Sequence, residues 1–460
     1  MAERRRGAPV DAPRRAAWEV LKAVRVDDAY ANLVLPAVVA HFDLEARDAA
    51  FTTELASGTL RWRGLYDAVL AACSDRSLAR IDAKVLDALR LGTHQLLGMR
   101  VPTHAAISTT VDLVRAVGNE GAAGFANAVL RKVSAHDHDA WVAQVAPGTS
   151  PRDAEVAFSH PAWIVDELRR ALGPVLGADT TTELGALLRA DNEPPKVTLV
   201  ARPGRATVAE LPGDPTPYSP YGVTLDGGRP HAVPAVAEGR AGVQDEGSQL
   251  VAIALARADV GPEPDADRLW LDLCAGPGGK SALLAALAAE RGARLLATER
   301  APHRAGLVAK GLRGADGVAG VLVADGRRPP LRPGSVDRVL VDAPCTGLGA
   351  LRRRPEARWR RRQDDLLELV LLQRALLGSA LDLVRPGGVV LYATCSPVLA
   401  ETSGVVTSVL DARRDVVVED VASVVPEVPD CAGPLPGTVQ LWPHRHGTDA
   451  MFLALLRRTS

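Results

Sequence analysis

Apolar residues are spaced in two different ways along the chain, and the change in spacing divides it into three regions. From about residue 13 to 136 they recur every three or four positions almost without a break, which indicates amphipathic helices. From residue 243 onward, short apolar runs alternate with helical patterns, as in a doubly wound α/β sheet. Between these regions, residues 160–239 combine two helical segments with short β-like pieces, prolines and glycines. The pattern therefore predicts an all-α domain, a small α+β insert and an α/β core.

Breaks in the pattern give the domain boundaries. We expect a disordered tail over residues 1–12, which are rich in Arg, Ala and Pro, followed by the all-α domain over 13–140. Polar residues with Pro and Gly among them make 137–155 a predicted linker. The small α+β domain is then expected over 156–242 and the α/β core over 243–460.

The core should contain five strands and a late antiparallel pair, with helices at 280–291 and 363–384. In such sheets ligands collect at the carboxyl ends of the strands, so the residues that follow each strand are the candidate site. The expected strands are 268–273, 293–298, 320–323, 337–341, 388–393, 438–442 and 450–455.

Residues 268–281 contain the most informative local pattern, an apolar run that breaks into a glycine cluster before a helix. A phosphate-binding P-loop would need glycine where Cys274 stands, and the dinucleotide fingerprint Gly-x-Gly-x-x-Gly is absent. Glu299, however, lies twenty residues after Gly279, about where an acidic residue takes ribose hydroxyls in Rossmann-like sites. The combination indicates a nucleoside-bearing cofactor; a purely structural strand-to-helix turn is the alternative.

Composition narrows the partners and the compartment. The 460 residues carry a net charge of −1, so nucleic-acid binding would have to use local basic patches. The five cysteines lie far apart, without the paired spacing of a zinc site, and we expect no metal and a reducing compartment. No apolar stretch approaches the length of a membrane span, so a cytoplasmic protein with no membrane contact is expected.

Three motifs at the strand ends carry a resemblance to a known family. They are Asp-Leu-Cys-Ala-Gly-Pro-Gly-Gly-Lys-Ser (272–281), Asp-Ala-Pro-Cys-Thr-Gly-Leu-Gly (342–349) and Tyr-Ala-Thr-Cys-Ser (392–396). In this order they resemble the motifs of the Sun/Fmu (NOL/NOP/Sun) family of RNA cytosine C5-methyltransferases. Val-Gln-Asp-Glu-Gly-Ser-Gln-Leu (243–250) is also typical of that family, and the helical segment with Phe-Ala-Asn-Ala-Val-Leu-Arg-Lys (125–132) resembles the NusB-like domain of its bacterial ribosomal-RNA members. The implied fold is a Rossmann-like methyltransferase core behind a NusB-like RNA-binding domain.

The resemblance implies a covalent mechanism. Cytosine C5 is a poor nucleophile, so an enzyme first adds a thiolate to C6, and C5 then attacks the methyl group of S-adenosylmethionine. In the family the cysteine of the Thr-Cys motif attacks, which corresponds to Cys395, and the Pro-Cys cysteine, Cys345, assists release of the methylated base. Asp342 is expected to contact the N3 edge of cytosine. Because thiolate character is required, Cys395 should be activated.

The same resemblance implies the cofactor site. S-adenosylmethionine would lie on the loop, with Glu299 on the ribose, Asp325 near the adenine and Asp342 beside the methionine part; Lys280 and the helix N-terminus could hold its carboxylate. The loop residues are Cys274, Ala275, Gly276, Pro277, Gly278, Gly279 and Lys280.

An arginine-rich run follows Cys345 and suggests RNA contact. Residues 351–362 hold seven arginines around one tryptophan, and their position beside the expected active site favours phosphate contacts and base stacking over a solvated helix face. The residues expected to bind RNA are Arg352, Arg353, Arg354, Arg358 and Trp359. The target base should be single-stranded or flipped.

Several family positions differ here. The usual Leu-Arg-Val-Asn of the middle domain is Leu-Val-Ala-Arg (199–202), the acidic-Asn-acidic cluster after Cys395 is reduced to Glu401-Thr402-Ser403, and the late Asp-Gly-Phe-Phe is Asp-Ala-Met-Phe (449–452). We expect none of these differences to touch a catalytic group, so they bear on the RNA substrate more than on the reaction.

The sequence leaves the substrate and the assembly open. The NusB-like segment favours small-subunit (16S) ribosomal RNA, with transfer RNA as the main alternative. A rival of another class is a non-catalytic RNA-binding assembly or antitermination factor, against which the intact Cys345, Cys395 and Asp342 argue. A DNA cytosine methyltransferase would need no Thr-Cys partner. We expect a monomer, although no sequence feature fixes the oligomeric state.

Overall fold

The computed structural model describes residues 10–176, 180–261 and 267–460. These residues form two compact units. Of the described residues, the helical unit comprises 10–166 together with Leu351–Arg360, and the sheet unit comprises 167–176, 180–261, 267–350 and Arg361–Ser460. A ten-residue piece of the later sequence thus belongs to the unit built by the first third of the chain. Of the expected N-terminal tail, residues 1–9 lie outside the described residues.

The helical unit has the amphipathic helices that the spacing of apolar residues predicts. Asp11 caps the first helix by accepting a hydrogen bond from the Arg14 amide at 3.0 Å, and Pro13 occupies its first turn. Helix faces carrying Trp18, Leu55 and Leu89 meet in one buried core. The helices in the described part of this first segment are α1 (Ala12–Val26), α2 (Ala31–His41), α3 (Ala46–Arg61), α4 (Arg63–Cys73), α5 (Ala83–Leu97), α6 (Thr103–Val117), α7 (Glu120–Val133), α8 (His138–Val145) and α9 (Pro151–Ala157).

The expected linker over 137–155 is largely helical, because it contains α8 and most of α9. Asp137 and Ser150 cap these helices, and Trp141 of α8 is buried with its indole N–H donating to the Val133 carbonyl at 2.8 Å. Polar capping residues therefore gave this segment the composition of a linker although it packs on the core.

The remaining helices belong to the sheet unit, apart from α10, which crosses the boundary, and α16, which lies in the helical unit. They are α10 (Ala162–Leu176), α11 (Thr180–Ala190), α12 (Pro234–Ala237), α13 (Glu246–Arg257), α14 (Gly279–Glu290), α15 (Pro302–Gly311), α16 (Ala357–Arg360), α17 (Asp365–Leu383), α18 (Ser403–Ala412) and α19 (Pro443–His446). No described helix is long and apolar enough to span a bilayer.

A small antiparallel sheet precedes the main one. Its four strands lie in the order β2-β3-β1-β4, and their apolar side chains form a separate core around Leu199 and Val223. The strands are β1 (Thr198–Ala201), β2 (Asp214–Pro215), β3 (Gly222–Thr224) and β4 (Ala241–Val243). This arrangement agrees with the expected α+β insert.

The main sheet has the order β10-β12-β9-β8-β5-β6-β7, and β11 pairs with β12. Strands β5 to β9 are parallel to one another, whereas β12 is antiparallel to β9, and β10 is antiparallel to β12. The strands are β5 (Leu269–Asp272), β6 (Arg294–Glu299), β7 (Val318–Val323), β8 (Val336–Asp342), β9 (Val384–Thr394), β10 (Val416–Glu419), β11 (Val439–Gln440) and β12 (Phe452–Arg458). The predicted strands are all present, and β10 was missed by the sequence pattern.

Helices cover both faces of this sheet, as the near-continuous apolar strands predict. Alternate residues of one strand enter different cores: Trp270 packs with α13 and α14, whereas Leu271 packs with α17 and α18. The fold is therefore a Rossmann-like α/β core. Since β9, β8, β5, β6 and β7 are adjacent and parallel, their carboxyl ends lie along one edge of the sheet.

Candidate active site

The glycine loop connects β5 to α14 at this edge. Gly278 has φ +112°, a left-handed conformation that favours glycine, and it caps α14. At Gly276 a side chain would overlap the Glu299 carboxylate and the Arg304 guanidinium. A side chain at Gly276 would therefore displace the two charged groups that lie against the loop backbone.

Glu299, the last residue of β6, fixes this loop. Its Oε2 accepts a hydrogen bond from the Gly276 amide at 3.1 Å, and its Oε1 accepts one from the Ala301 amide at 2.9 Å. Arg304 of α15 donates to the Gly276 carbonyl at 2.5 Å and lies 3.5 Å from Glu299. Glu299, which is predicted to bind the ribose, therefore also holds the loop in shape. The sequence pattern did not indicate the contacts that Arg304 makes.

Two further carboxylates at the strand ends, the predicted cofactor ligand Asp325 and its neighbour in the crevice Asp272, have different surroundings. Asp325 follows β7 and forms a bidentate pair with Arg327, and this hydrogen bonding lowers the Asp325 pKa to about 2. Asp272, at the end of β5, is fully buried; burial raises its pKa to about 7, although the Ser281 hydroxyl donates to it at 2.6 Å.

Lys280 and Asp342 form an ion pair across the crevice between β5 and β8. Lys280 Nζ donates to Asp342 Oδ2 at 2.8 Å. Burial alone would lower the pKa of Lys280, but the charge and hydrogen bond of Asp342 raise it, and Cys395 contributes in the same direction. The contact of Lys280 with the carboxylate of the cofactor stays a prediction, and the structure shows that Lys280 also pairs with the predicted catalytic aspartate.

The two candidate catalytic cysteines lie side by side. Cys345 follows β8, Cys395 follows β9, and their sulfurs are 3.4 Å apart. The hydrogen bond with Cys395 and burial raise the pKa of Cys345 well above its usual value. Cys345 is therefore held as a neutral thiol that can donate its S–H to the sulfur of Cys395.

Residues at the altered family positions touch no predicted catalytic side chain, but they contact the turns that carry the two cysteines. The buried carboxylate of Glu401 accepts hydrogen bonds from Thr346 and Ser396, the residues next to Cys345 and Cys395. The amide of Ala450 donates to the Gly349 carbonyl at 2.8 Å, and the Gly349 amide donates to the Cys395 carbonyl at 2.9 Å. The altered family positions therefore support the catalytic turns, a role that spacing along the chain could not reveal.

The arginine run divides between the two units. Residues 351–360 belong to the helical unit, where Arg358 is fully buried and donates to the carbonyls of Ser159 at 3.0 Å and Arg61 at 3.3 Å. A guanidinium without exposed surface cannot bind phosphate, so the predicted RNA contact of Arg358 is wrong. The sequence showed that the residue is charged but could not show which carbonyl groups would accept its hydrogen bonds.

Other members of the run vary in exposure. Arg352 is also buried, and Trp359 donates its indole N–H to the Leu60 carbonyl at 3.0 Å while its ring lies under Arg63. These packing roles compete with the predicted RNA contacts. Arg353 is half-buried and Arg354 exposed, so for these two RNA contact stays a prediction.

Arg361 lies beyond the piece of the run that belongs to the helical unit and was not among the predicted RNA ligands. It donates to the backbone carbonyls of Thr346 at 3.1 Å and Cys345 at 3.4 Å. One arginine of the run thus supports the Cys345 turn directly. The sequence around Arg361 did not indicate this contact.

Comparison with known proteins agrees with this arrangement. Residues 261–457 match the family model described as 16S rRNA methyltransferase RsmB/F, and residues 11–135 match the NusB family. A Mycobacterium tuberculosis protein named "Putative methyltransferase" is 52% identical over the full length of both chains. The ribosomal RNA small subunit methyltransferase B of Salmonella newport is 32% identical, covering 80% of this chain and 83% of its own.

A solved structure has the same fold. The crystal structure of PH0851 covers 98% of this chain and all of its own, with a TM-score of 0.79 and 24% identity. The two-part architecture, with its helical and sheet units, is therefore shared with a known protein.

Proposed function

The chain belongs to the family of 16S rRNA methyltransferases RsmB/F and carries a NusB-family domain, and from this premise we propose that it methylates C5 of a cytosine in small-subunit ribosomal RNA. The observation that carries the proposal is the pair of cysteine sulfurs 3.4 Å apart at neighbouring strand ends, next to the Lys280–Asp342 pair. Two adjacent thiols suit a reaction in which one bonds to the base and the other assists its release.

The residues of the loop fit S-adenosylmethionine as methyl donor. The Glu299 carboxylate lies against the loop backbone at Gly276, and the Asp342 carboxylate ends β8, the strand next to β5. Ribose hydroxyls and a cationic methionine group match such acceptors, and the N-terminus of α14 suits a carboxylate. When bound, S-adenosylmethionine supplies an electrophilic methyl group.

Cys395 begins the reaction on the base. Its thiolate bonds to C6, the C5–C6 double bond opens, and the electron density that moves to C5 makes that carbon the nucleophile toward the methyl group. Lys280 lies close enough to Cys395 for their charges to interact, and it stabilises the thiolate before attack. Asp342, held by Lys280, faces the polar edge of cytosine and stabilises the charge of the adduct.

Cys345 acts at release. After methyl transfer the C6–S bond breaks: the neutral thiol of Cys345, 3.4 Å away, gives its proton to the departing Cys395 sulfur. The Cys345 thiolate formed in this way takes the proton from C5, the double bond between C5 and C6 re-forms, and Cys345 is a neutral thiol again. This role explains why a thiol with a raised pKa belongs beside the nucleophile.

Substitution of each cysteine tests the proposal. Cys395→Ala should abolish methyl transfer, whereas Cys345→Ala should let a covalent enzyme–RNA adduct accumulate, seen as a slower band on denaturing gels after incubation with S-adenosylmethionine and 16S RNA. Cys431→Ala, at a buried cysteine outside the site, serves as the control and should do neither. Activity retained by Cys395→Ala would refute the assignment of the nucleophile.

The RNA target needs a separate measurement. Bisulfite mapping of RNA from cells with and without the gene should show one 5-methylcytosine lost from small-subunit ribosomal RNA. Loss of a transfer RNA site with an unchanged ribosomal map would replace the proposed substrate by transfer RNA. No lost site in any RNA would favour a non-catalytic RNA-binding role.

A further inference from the structure

Glu401 lies beneath both cysteine turns, in the loop after β9. Its side chain has no exposed surface, and its two oxygens accept four hydrogen bonds. Oε1 accepts from the Thr346 amide at 2.8 Å and from Gln373 Nε2 at 3.0 Å. Oε2 accepts from the Thr346 hydroxyl at 2.5 Å and from the Ser396 hydroxyl at 2.6 Å. An ionised carboxylate has acceptor positions for about four donors, and here they are filled.

These donors flank the two cysteines. Thr346 follows Cys345 in the chain and Ser396 follows Cys395, so one carboxylate joins both turns. Gln373 extends the connection, because its Nε2 also donates to the carbonyl of Pro344, the residue before Cys345, at 2.9 Å. The Cys345 turn is thus held from both sides of its cysteine.

Glu401 is itself held by the strand that carries Cys395. The hydroxyl of the buried Tyr392 on β9 donates to the Glu401 carbonyl at 2.7 Å, and the Glu401 amide donates to the Val398 carbonyl at 2.9 Å. A buried charge is costly unless its hydrogen bonds are complete, and an apolar side chain here would leave the Thr346 amide without this acceptor. The buried charge of Glu401 therefore holds the two cysteine turns at a fixed distance from each other.

We infer that Glu401 is a positioning residue that sets the separation and orientation of Cys345 and Cys395. This role rests on the proposed function, because the distance between the sulfurs matters to the reaction only if both act on one base. The charge of Glu401 also acts on the protonation of Cys345. The hydrogen bond with Cys395 and burial are the main causes of the raised pKa of Cys345, and the negative charge of Glu401 raises it further. Glu401 itself contacts no reacting atom.

Loss of the carboxylate should lower the rate of the chemical steps and leave binding unchanged. A displacement of about 1 Å between catalytic groups can cost about 10²-fold in rate, and we expect a loss of that size for Glu401→Ala. Glu401→Gln keeps one oxygen for the Thr346 amide, and the hydroxyls can rotate to accept from its NH₂, so a loss of about tenfold is expected. The dissociation constant for S-adenosylmethionine and the KM for RNA should stay within about twofold.

The experiment combines a kinetic and a spatial readout in the full-length protein. Single-turnover methyl transfer to 16S RNA gives the chemical rate, and the rate of Cys345–Cys395 disulfide formation with diamide reports how often the sulfurs meet. Glu427→Gln is the matched control, since it removes a carboxylate that pairs with Arg257 at the surface of the same unit. Both rates should fall for the Glu401 variants and stay unchanged for the control.

Wild-type rates of both methyl transfer and disulfide formation in folded Glu401→Gln and Glu401→Ala proteins would overturn the inference. If Glu401→Ala does not fold, Thr346→Val decides, because it removes one donor to Oε2 and keeps the backbone bond to Oε1; unchanged rates in that variant would also overturn it. If the wild-type protein methylates no RNA, the proposed function is refuted instead. The rates of disulfide formation would then still test whether Glu401 positions the two sulfurs.

Discussion

Single residues of the site owe their properties to competition between burial and neighbouring charge. Asp272 is buried and Lys280 half-buried in the crevice around β5, and burial has the larger effect on the pKa of Asp272, whereas the partner charge decides that of Lys280. The difference is that Lys280 has an ion-pair partner at 2.8 Å, whereas Asp272 has the Ser281 hydroxyl and a neighbouring negative charge from Asp342. The site thus contains a carboxyl group that titrates near neutral pH.

This carboxyl group makes stability depend on pH. The pKa of Asp272 is about 7 in the folded chain, against an ordinary value of 3.8 for an aspartate in an unfolded chain. Between these values the folded protein keeps a proton that the unfolded chain releases, so the contribution of Asp272 to stability is largest below the unfolded pKa and decreases as the pH rises toward 7. Well above pH 7 Asp272 is ionised in both the folded and the unfolded chain, so its effect on stability no longer changes with pH.

Comparison with Asp272→Asn isolates this contribution. The variant cannot ionise, so its free energy of unfolding minus that of the wild type should be more positive at pH 8 than at pH 5, by about 2–3 kcal/mol. Denaturant unfolding of both proteins at the two pH values measures it, and the other titrating groups cancel in the difference. A difference that does not change with pH would show that Asp272 titrates outside this range.

At the scale of elements, the site depends on three backbone segments that meet after β8, after β9 and before β12. Gly349 lies where they join: its amide donates to the Cys395 carbonyl at 2.9 Å and its carbonyl accepts from the Ala450 amide at 2.8 Å. A side chain at Gly349 would overlap the Ala450 carbonyl oxygen and approach that of Cys395 to 2.9 Å. The close approach requires glycine, independently of any left-handed conformation.

Gly349→Ala should therefore displace the cysteine turns. Because the obstructing atoms are backbone, the turns must shift, and we expect a loss of about 10²-fold in single-turnover methyl transfer with S-adenosylmethionine binding retained. Gly378→Ala in α17, where a side chain would meet nothing within 4 Å, is the matched control and should keep full activity. Wild-type activity of Gly349→Ala would show that the turns tolerate the shift.

At the scale of the whole molecule, the chain builds its helical unit from two distant stretches. Residues 351–360 leave the sequence of the sheet unit and pack among the first helices, with Arg358 on the carbonyls of Arg61 and Ser159 and Trp359 on that of Leu60. Glu356 accepts from the amide of Ala31 at 3.1 Å at the start of α2. The segment is therefore a structural part of the helical unit.

Removal of one anchor should weaken that unit selectively. Arg358→Ala leaves two carbonyl groups without this donor, and we expect the helical unit to lose about 3 kcal/mol of stability. Hydrogen exchange should be faster in peptides that cover residues 58–66 and 351–360 and unchanged in β5 to β9. Arg362→Ala, at an exposed arginine of the same run, should change neither region. Equal effects in both units would contradict a local anchoring role.

The sequence by itself determined the fold class, the strands of the core and the positions of the chemical groups. Buried parallel strands must be apolar, a close backbone approach must be glycine, and strand ends must collect at one edge, so residues such as Gly276, Asp342, Cys345 and Cys395 could be found from local pattern and resemblance. We inferred that these residues form one site because their motifs follow strands of one sheet and occur in the order typical of the family. Helix boundaries in 137–155 were missed because capping residues and linker residues are the same types.

Only the tertiary structure decided which groups are partners. Lys280 pairs with Asp342, Glu401 with Thr346 of the Cys345 turn, and Arg358 with the Arg61 carbonyl, and these partners are 55 to 297 positions apart. Charge and spacing in the sequence do not specify such pairs, because a buried polar group takes whichever donors and acceptors the folded chain brings to it. That is why an arginine run expected on RNA contains buried anchors, and why Glu401 joins both cysteine turns.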